Sequence, residues 1–225
     1  MKKLIIILFL ITFSLQAQVE NKNKNGYYLE DQLYIGVTYN TLRKKPASMN
    51  LRGFSNSIFA GYIRDIPLNK KRNFGLGLGL GYVRDTYFHD MKIVKENGIV
   101  LFKNFDDIDV YNSNRLVFHS IEMPFEFRFR DSTIDDYKFW RVYVGMKFSY
   151  VFYSKAEFNL NDLQRLSNFD EVNRMKYGLS LSAGHGTWNG FIYYEISNIF
   201  KNAKFNQTDS IDMKGLKFGL IFYIL

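Results

Sequence analysis

Residues Phe74 to Asp85 read "FGLGLGLGYVRD", with glycine at 75, 77, 79 and 81. Three readings compete for this stretch: a phosphate-cradling loop, a flexible linker, or a strand. The dinucleotide pattern G-x-G-x-x-G needs glycine at 80 or 82, where the chain holds Leu80 and Tyr82. No Lys-Ser or Lys-Thr pair follows, so the P-loop pattern fails as well. A linker gives no reason for Leu at every intervening position. Strict alternation places Phe74, Leu76, Leu78, Leu80 and Tyr82 on one face and the glycines on the other. The stretch is a strand.

The same period of two recurs along the chain. Leu33, Ile35, Val37 and Tyr39 oppose Tyr34, Gly36, Thr38 and Asn40, and Ile58, Ala60 and Tyr62 oppose Ser57, Phe59 and Gly61. Trp140, Val142, Val144, Met146, Phe148, Tyr150 and Phe152 form an unbroken apolar set opposite Arg141, Tyr143, Gly145, Lys147 and Ser149. Eight strands follow from this pattern, over about 33–42, 54–66, 74–86, 116–128, 139–152, 175–186, 190–200 and 213–225. At about 3.3 Å per residue, Trp140 to Phe152 runs roughly 40 Å. Tilted by about 40°, it rises roughly 30 Å, enough to cross an apolar band about 25 Å tall. Short connections (67–73, 131–138, 187–189) alternate with long ones (43–53, 88–115, 153–174, 201–212). The expected fold is therefore all-β, an eight-stranded antiparallel transmembrane β-barrel of the outer-membrane type. An even strand number puts both termini on one side, the periplasmic side in such barrels.

Composition agrees with this class. Aromatic residues make up 18% of the chain, with Phe 22 and Tyr 16, as expected of a barrel with an apolar outside and interfacial rings. The N-terminus "MKKLIIILFLITFSLQAQ" has the lysines, short apolar run and small Ala17 of a secretory signal peptide over 1–17, with cleavage between Ala17 and Gln18. Residues 18–225 then form one barrel domain. No cysteine is present, which excludes disulfides, thiolate metal sites and a lipid-anchored cysteine. The net charge of +8 is spread rather than clustered, so nucleic acid is not an expected partner. Neither a cofactor nor a metal site is expected.

Chemistry within such a barrel is confined to a narrow lumen, which holds side chains or one small ligand. The inward parity carries Glu122, Glu126, Arg128, Arg141, Lys147, Lys176, Glu195 and Lys217. Both signs are present, and Glu122 and Glu126 are expected to meet Arg141 and Lys147. A paired plug is favoured over an ion path. The glycine wall of the third strand is expected to leave space for large inward side chains such as Arg141 or Lys147. Pro124 lies mid-strand without an N–H and is expected to mark a bulge or bend. His119 is expected on the apolar face near the rim. His89-Asp90 is the one candidate acid–base pair, and no nucleophile stands beside it, so no enzymatic activity is expected. The acidic run Phe105–Tyr111 lacks EF-hand spacing and reads as a solvated loop. Leu160, Leu163 and Leu166 are spaced for one short helix. Leu225 falls on the lumen parity, opposite Ile224.

Several stretches resemble the PorT family of Bacteroidetes outer-membrane barrels. They are "SIEMPFEFRF" (Ser120 to Phe129), "YKFWRVYVGMKFSYVF" (Tyr137 to Phe152), "GFSNSIFAGYIRDIPLNKKRNFGLGLGLGY" (Gly53 to Tyr82) and the ending "GLKFGLIFYIL". The ending and the Gly53–Tyr82 stretch are similar to the flavobacterial branch. The resemblance implies the outer membrane, outer-membrane lipid as surroundings, and an accessory role in type IX protein secretion beside other components of that system. The alternatives are a narrow pore or small-solute-binding barrel unrelated to secretion, and an outer-membrane enzyme.

Overall fold

The computed structural model describes residues 32–105, 113–131, 140–159 and 163–224. The signal-peptide stretch with Ala17 and Gln18, the acidic residues Asp106, Asp107 and Asp109, Leu160 and Leu225 all lie outside the described residues.

Eight strands close an antiparallel barrel. These are β1 (Gln32–Arg43), β2 (Asn56–Pro67), β3 (Phe74–Phe88), β6 (Ser113–Arg130), β7 (Trp140–Asn159), β9 (Met175–His185), β10 (Trp188–Glu195) and β13 (Lys214–Ile224). Each pairs with the next in chain order, and β13 pairs with β1 to close the ring. At the loop end, β4 (Met91–Glu96), β5 (Ile99–Asn104), β11 (Lys204–Phe205) and β12 (Asp209–Ser210) form a separate four-stranded sheet. The remaining strand, β8 (Leu163–Ser167), pairs with the part of β7 that projects past the ring.

Alternation controls burial. On β1, Tyr34, Thr38 and Asn40 are buried in the lumen while Leu33, Ile35, Val37 and Tyr39 are exposed outside. The outer wall is apolar between two aromatic rows, apart from the exposed Arg64 on β2 beside Leu78. At the turn end, Phe74 stacks on Phe129 at 4.8 Å, Trp140 on His185 at 5.4 Å and Trp188 on Phe222 at 4.8 Å. At the loop end, Tyr82, His119, Phe152 and Tyr153 form a contiguous ring cluster. On β3 the rows stand eight residues apart, roughly 20 Å of height at about 40° tilt, close to the thickness of the apolar band.

Several expectations about individual elements are corrected. The segment 88–115 contains the β4–β5 hairpin, turned by Asn97 and Gly98, both at positive φ (50° and 83°). No helix forms over 157–174 among the described residues; Leu163 and Leu166 belong to β8. The strand expected over 190–200 ends at Glu195, because Ile199 and Phe200 turn in over the mouth and are buried there. There Ile199 N donates to Met213 O at 2.8 Å and Asn173 N to Ile199 O at 2.9 Å, in place of a straight ladder. Pro124 makes no bulge: Pro124 faces Lys147 in unbroken register, and only the ladder to β3 is interrupted, where the missing N–H has nothing to donate. The bulge lies elsewhere. His119 faces Tyr153 and Ser120 faces Val151, which leaves Phe152 as the extra residue.

Candidate functional site

The lumen is packed in tiers, each positioned by the inward parity of several strands. Nearest the turn end, the Arg128 guanidinium lies 3.2 Å from Glu126 and 3.3 Å from Asp65, with its face 4.6 Å from the centre of the Tyr143 ring. Arg130 holds the other oxygen of Asp65 at 2.5 Å. Arg141 stands over Tyr223 at 5.7 Å.

In the middle tier, Lys147 Nζ is 2.9 Å from Glu122 Oε1, and the Tyr34 hydroxyl donates to the same oxygen at 3.0 Å. The ammonium is boxed by Phe59 and Phe191, each with its ring centre 4.9 Å away. Toward the loop end, Lys217 meets Asp85 at 2.6 Å while Ser57 donates to that carboxylate at 2.5 Å. Lys176 stands 3.5 Å from Glu195 and 4.0 Å from the centre of the Phe118 ring.

The eight charged residues expected inside are all buried in this lumen. Their partners differ in part. Glu122 does meet Lys147, but Glu126 is engaged by Arg128 from its own strand instead of by Arg141. Asp65, Asp85 and Arg130 were not anticipated, although the signal existed: the inward parity of β2 (57, 59, 61, 63) extends to 65, and that of β3 (75 to 83) extends to 85. With them the lumen holds six cations and five carboxylates among the described residues, nearly balanced. The glycine wall makes room for residues other than those expected. A Cβ on Gly77 would sit 2.5 Å from Arg128 Nε, and one on Gly81 would overlap the Tyr34 hydroxyl. The cavity left among Phe59, Asp85, Glu122, Lys147 and Lys217 is about 20 Å³, about one water molecule.

Above the last tier the chemistry changes to an apolar cap. Tyr87, Met91, Phe102, Phe118, Phe200 and Met213 form part of one buried cluster that joins the barrel mouth to the β4–β5 and β11–β12 sheet. His89 is buried at the edge of this cap. Its Nδ1 accepts from the Met91 amide at 3.2 Å and lies 3.3 Å from Asn114 Nδ2. Burial pulls its imidazole down to about 4, outweighing the opposing pull of Asp90 and of the Met91 hydrogen bond. Asp90 itself turns to Asn50 and Arg52. The pair thus holds two segments of the cap together, with no serine or carboxylate bonded to the imidazole among the described residues. A larger concavity, about 640 Å³ and open to the outside, lies on the flank of the cap between Asn173, Ser197, Asn198, Lys201 and Asp212; it is separate from the lumen.

A family model described as an outer membrane protein beta-barrel domain matches residues 16–207. The chain belongs to this outer-membrane β-barrel family. Among curated proteins, none matches. Among solved structures, the barrel is similar to Ail, the attachment invasion locus protein of Yersinia pestis, solved in complex with the heparin analogue sucrose octasulfate. Identity is 14% and the TM-score 0.39, over 88% of this chain and 99% of that one. Within this outer-membrane barrel family the fold is a scaffold, and function must be argued from the particular lumen, cap and outer wall.

Proposed function

We propose that this outer-membrane barrel is non-conducting and non-enzymatic, and that it acts through its surfaces as a partner-binding component. The single observation that carries this reading is the filled lumen: among the described residues five carboxylates and six cations are buried in it, and the cavity between Phe59, Asp85, Glu122, Lys147 and Lys217 holds about 20 Å³. A hydrated ion has no path through such a space, and the apolar cap adds a second seal. The pore alternative has little room inside the charged tiers, and the ligand-sized concavity of about 640 Å³ lies on the flank of the cap, outside the lumen.

The orientation that fits this reading has both termini in the periplasm and the cap outside the cell. The even strand number and the short turns at 68–73 and 186–187 support it. The signal peptide expected over 1–17 fits the same placement. A narrower proposal, an accessory role in type IX secretion, rests on the resemblance of Ser120–Phe129 and Tyr137–Phe152 to PorT strands. Deleting the gene tests it. Exported proteins held back in the periplasm are the expected result, and undiminished export overturns the secretion role while leaving the closed barrel standing.

A further inference from the structure

Above the loop-end aromatic row, the outer wall of β3, β6, β7 and β8 turns from apolar to cationic. Strand register sorts it into rungs. Arg84, His119 and Tyr153 lie side by side, two residues beyond Tyr82. Thr86, Val117, Lys155 and Ser167 form the next rung, and Phe88, Arg115, Glu157 and Arg165 the one after.

On the top rung one carboxylate holds three cations. Arg115 Nε lies 2.8 Å from Glu157 Oε2, Lys155 Nζ 3.1 Å from the same oxygen, and Arg165 Nε 2.8 Å from Oε1. The Glu157 side chain is 2% exposed, whereas that of Arg165 is 58% exposed. Both arginines engage Glu157 through Nε. Among the described residues their terminal amino groups have no other anion. Arg84, two rungs below, has no ion-pair partner there either. Four cations on these rungs therefore face one carboxylate.

A surface that needed only to be soluble would not require this arrangement. A buried carboxylate that orders three cations is a preorganised anion site, and guanidinium groups match phosphate in a two-point contact. Height narrows the ligand further. At about 3.3 Å per residue and about 40° tilt, the rungs stand roughly 5, 10 and 15 Å above Tyr82. A phospholipid headgroup layer is only about 5–8 Å deep. Arg115, Lys155 and Arg165 gather their charges at Glu157 on the upper rung, beyond that layer, and so suit phosphates carried on sugars that project past the phospholipid plane.

We propose that this face binds the phosphorylated saccharide headgroup of an outer-leaflet glycolipid, with Arg84, Arg115, Lys155 and Arg165 as its contacts and Glu157 as the residue that positions the last three. The proposal rests on the reading that the cap faces outward. Its test uses detergent-purified full-length protein and native mass spectrometry with bisphosphorylated lipid A, the same lipid dephosphorylated, and inorganic phosphate. The expected result is retention of the bisphosphorylated form about tenfold tighter than the dephosphorylated one, with inorganic phosphate failing to compete at millimolar concentration. The double variant Arg115→Gln/Arg165→Gln should lose about tenfold, and Arg84→Gln alone, a change that breaks no ion pair among the described residues, about threefold. Arg43→Gln, on the opposite wall, should change nothing.

Equal binding of the two lipids, competition by inorganic phosphate, or wild-type affinity in both variants would overturn the site. Orientation is read separately. The chain has no cysteine, so Lys95→Cys places a single thiol on β4. Labelling by an impermeant maleimide on intact cells supports the outward cap, and labelling only after lysis overturns it, whatever the lipid result.

Discussion

Glycine 77 sets the size of the lumen where Arg128 crosses it. A Cβ there would stand 2.5 Å from Arg128 Nε, and that guanidinium is already fixed by Glu126, Asp65 and Tyr143. Leu78, the next residue, points into the apolar band. Gly77→Phe should therefore abolish or sharply reduce the folded fraction on refolding into lipid vesicles, while Leu78→Phe refolds like the parent; equal yields would contradict the assignment of faces. Lys147 offers an energetic test of the same interior. Lys147→Met leaves Glu122 charged and buried, and should cost about 3–5 kcal/mol in urea unfolding. Adding Glu122→Gln removes the orphaned charge and should return most of that loss. A pair that contributes nothing would show no such coupling.

Among the elements, the cap is the part whose stability should follow pH. His89 is held near 4 by burial, while a histidine in a detached cap titrates near 6.5. As pH falls below about 6.5 the detached form takes up a proton that the packed form refuses. The cap's stability is thus fully present above about pH 6.5 and falls until about pH 4, by about 3 kcal/mol in all. Hydrogen exchange of the β4–β5 amides, corrected for intrinsic rates, should accelerate across this window while the barrel amides stay protected. His89→Leu should flatten the dependence. The β6–β7 extension obeys a different constraint: the bulge at Phe152 lies where the wall leaves the apolar band, and beyond Tyr153 the outer face carries Lys155 and Glu157 in place of rings.

At the scale of the whole molecule the barrel is closed twice, by paired charge below and by apolar packing above. Purified protein in planar bilayers should show no steady conductance, and large stable current steps would contradict the filled lumen. Much of this was legible in the chain. The period of two in "FGLGLGLGYVRD" and in Trp140–Phe152 fixes which side chains face lipid, because a strand has only two faces and lipid tolerates only one kind of residue. The same parity puts Glu122, Lys147, Arg128 and Lys217 inside. Parity does not say which strands face each other across the lumen, so Arg128 with Asp65 and Lys217 with Asp85, partners 63 and 132 residues apart, were decided by closure of the ring. The cap was hidden for a related reason. β4, β5 and β11 are short, and the burial of Met91, Phe102 and Phe205 comes from packing over the mouth, which local alternation does not encode. Sequence by itself determined the wall of this barrel, since lipid and lumen act on every residue independently. Tertiary structure alone decided how its contents pair and what forms its lid, since those depend on side chains meeting across distances that no single strand spans.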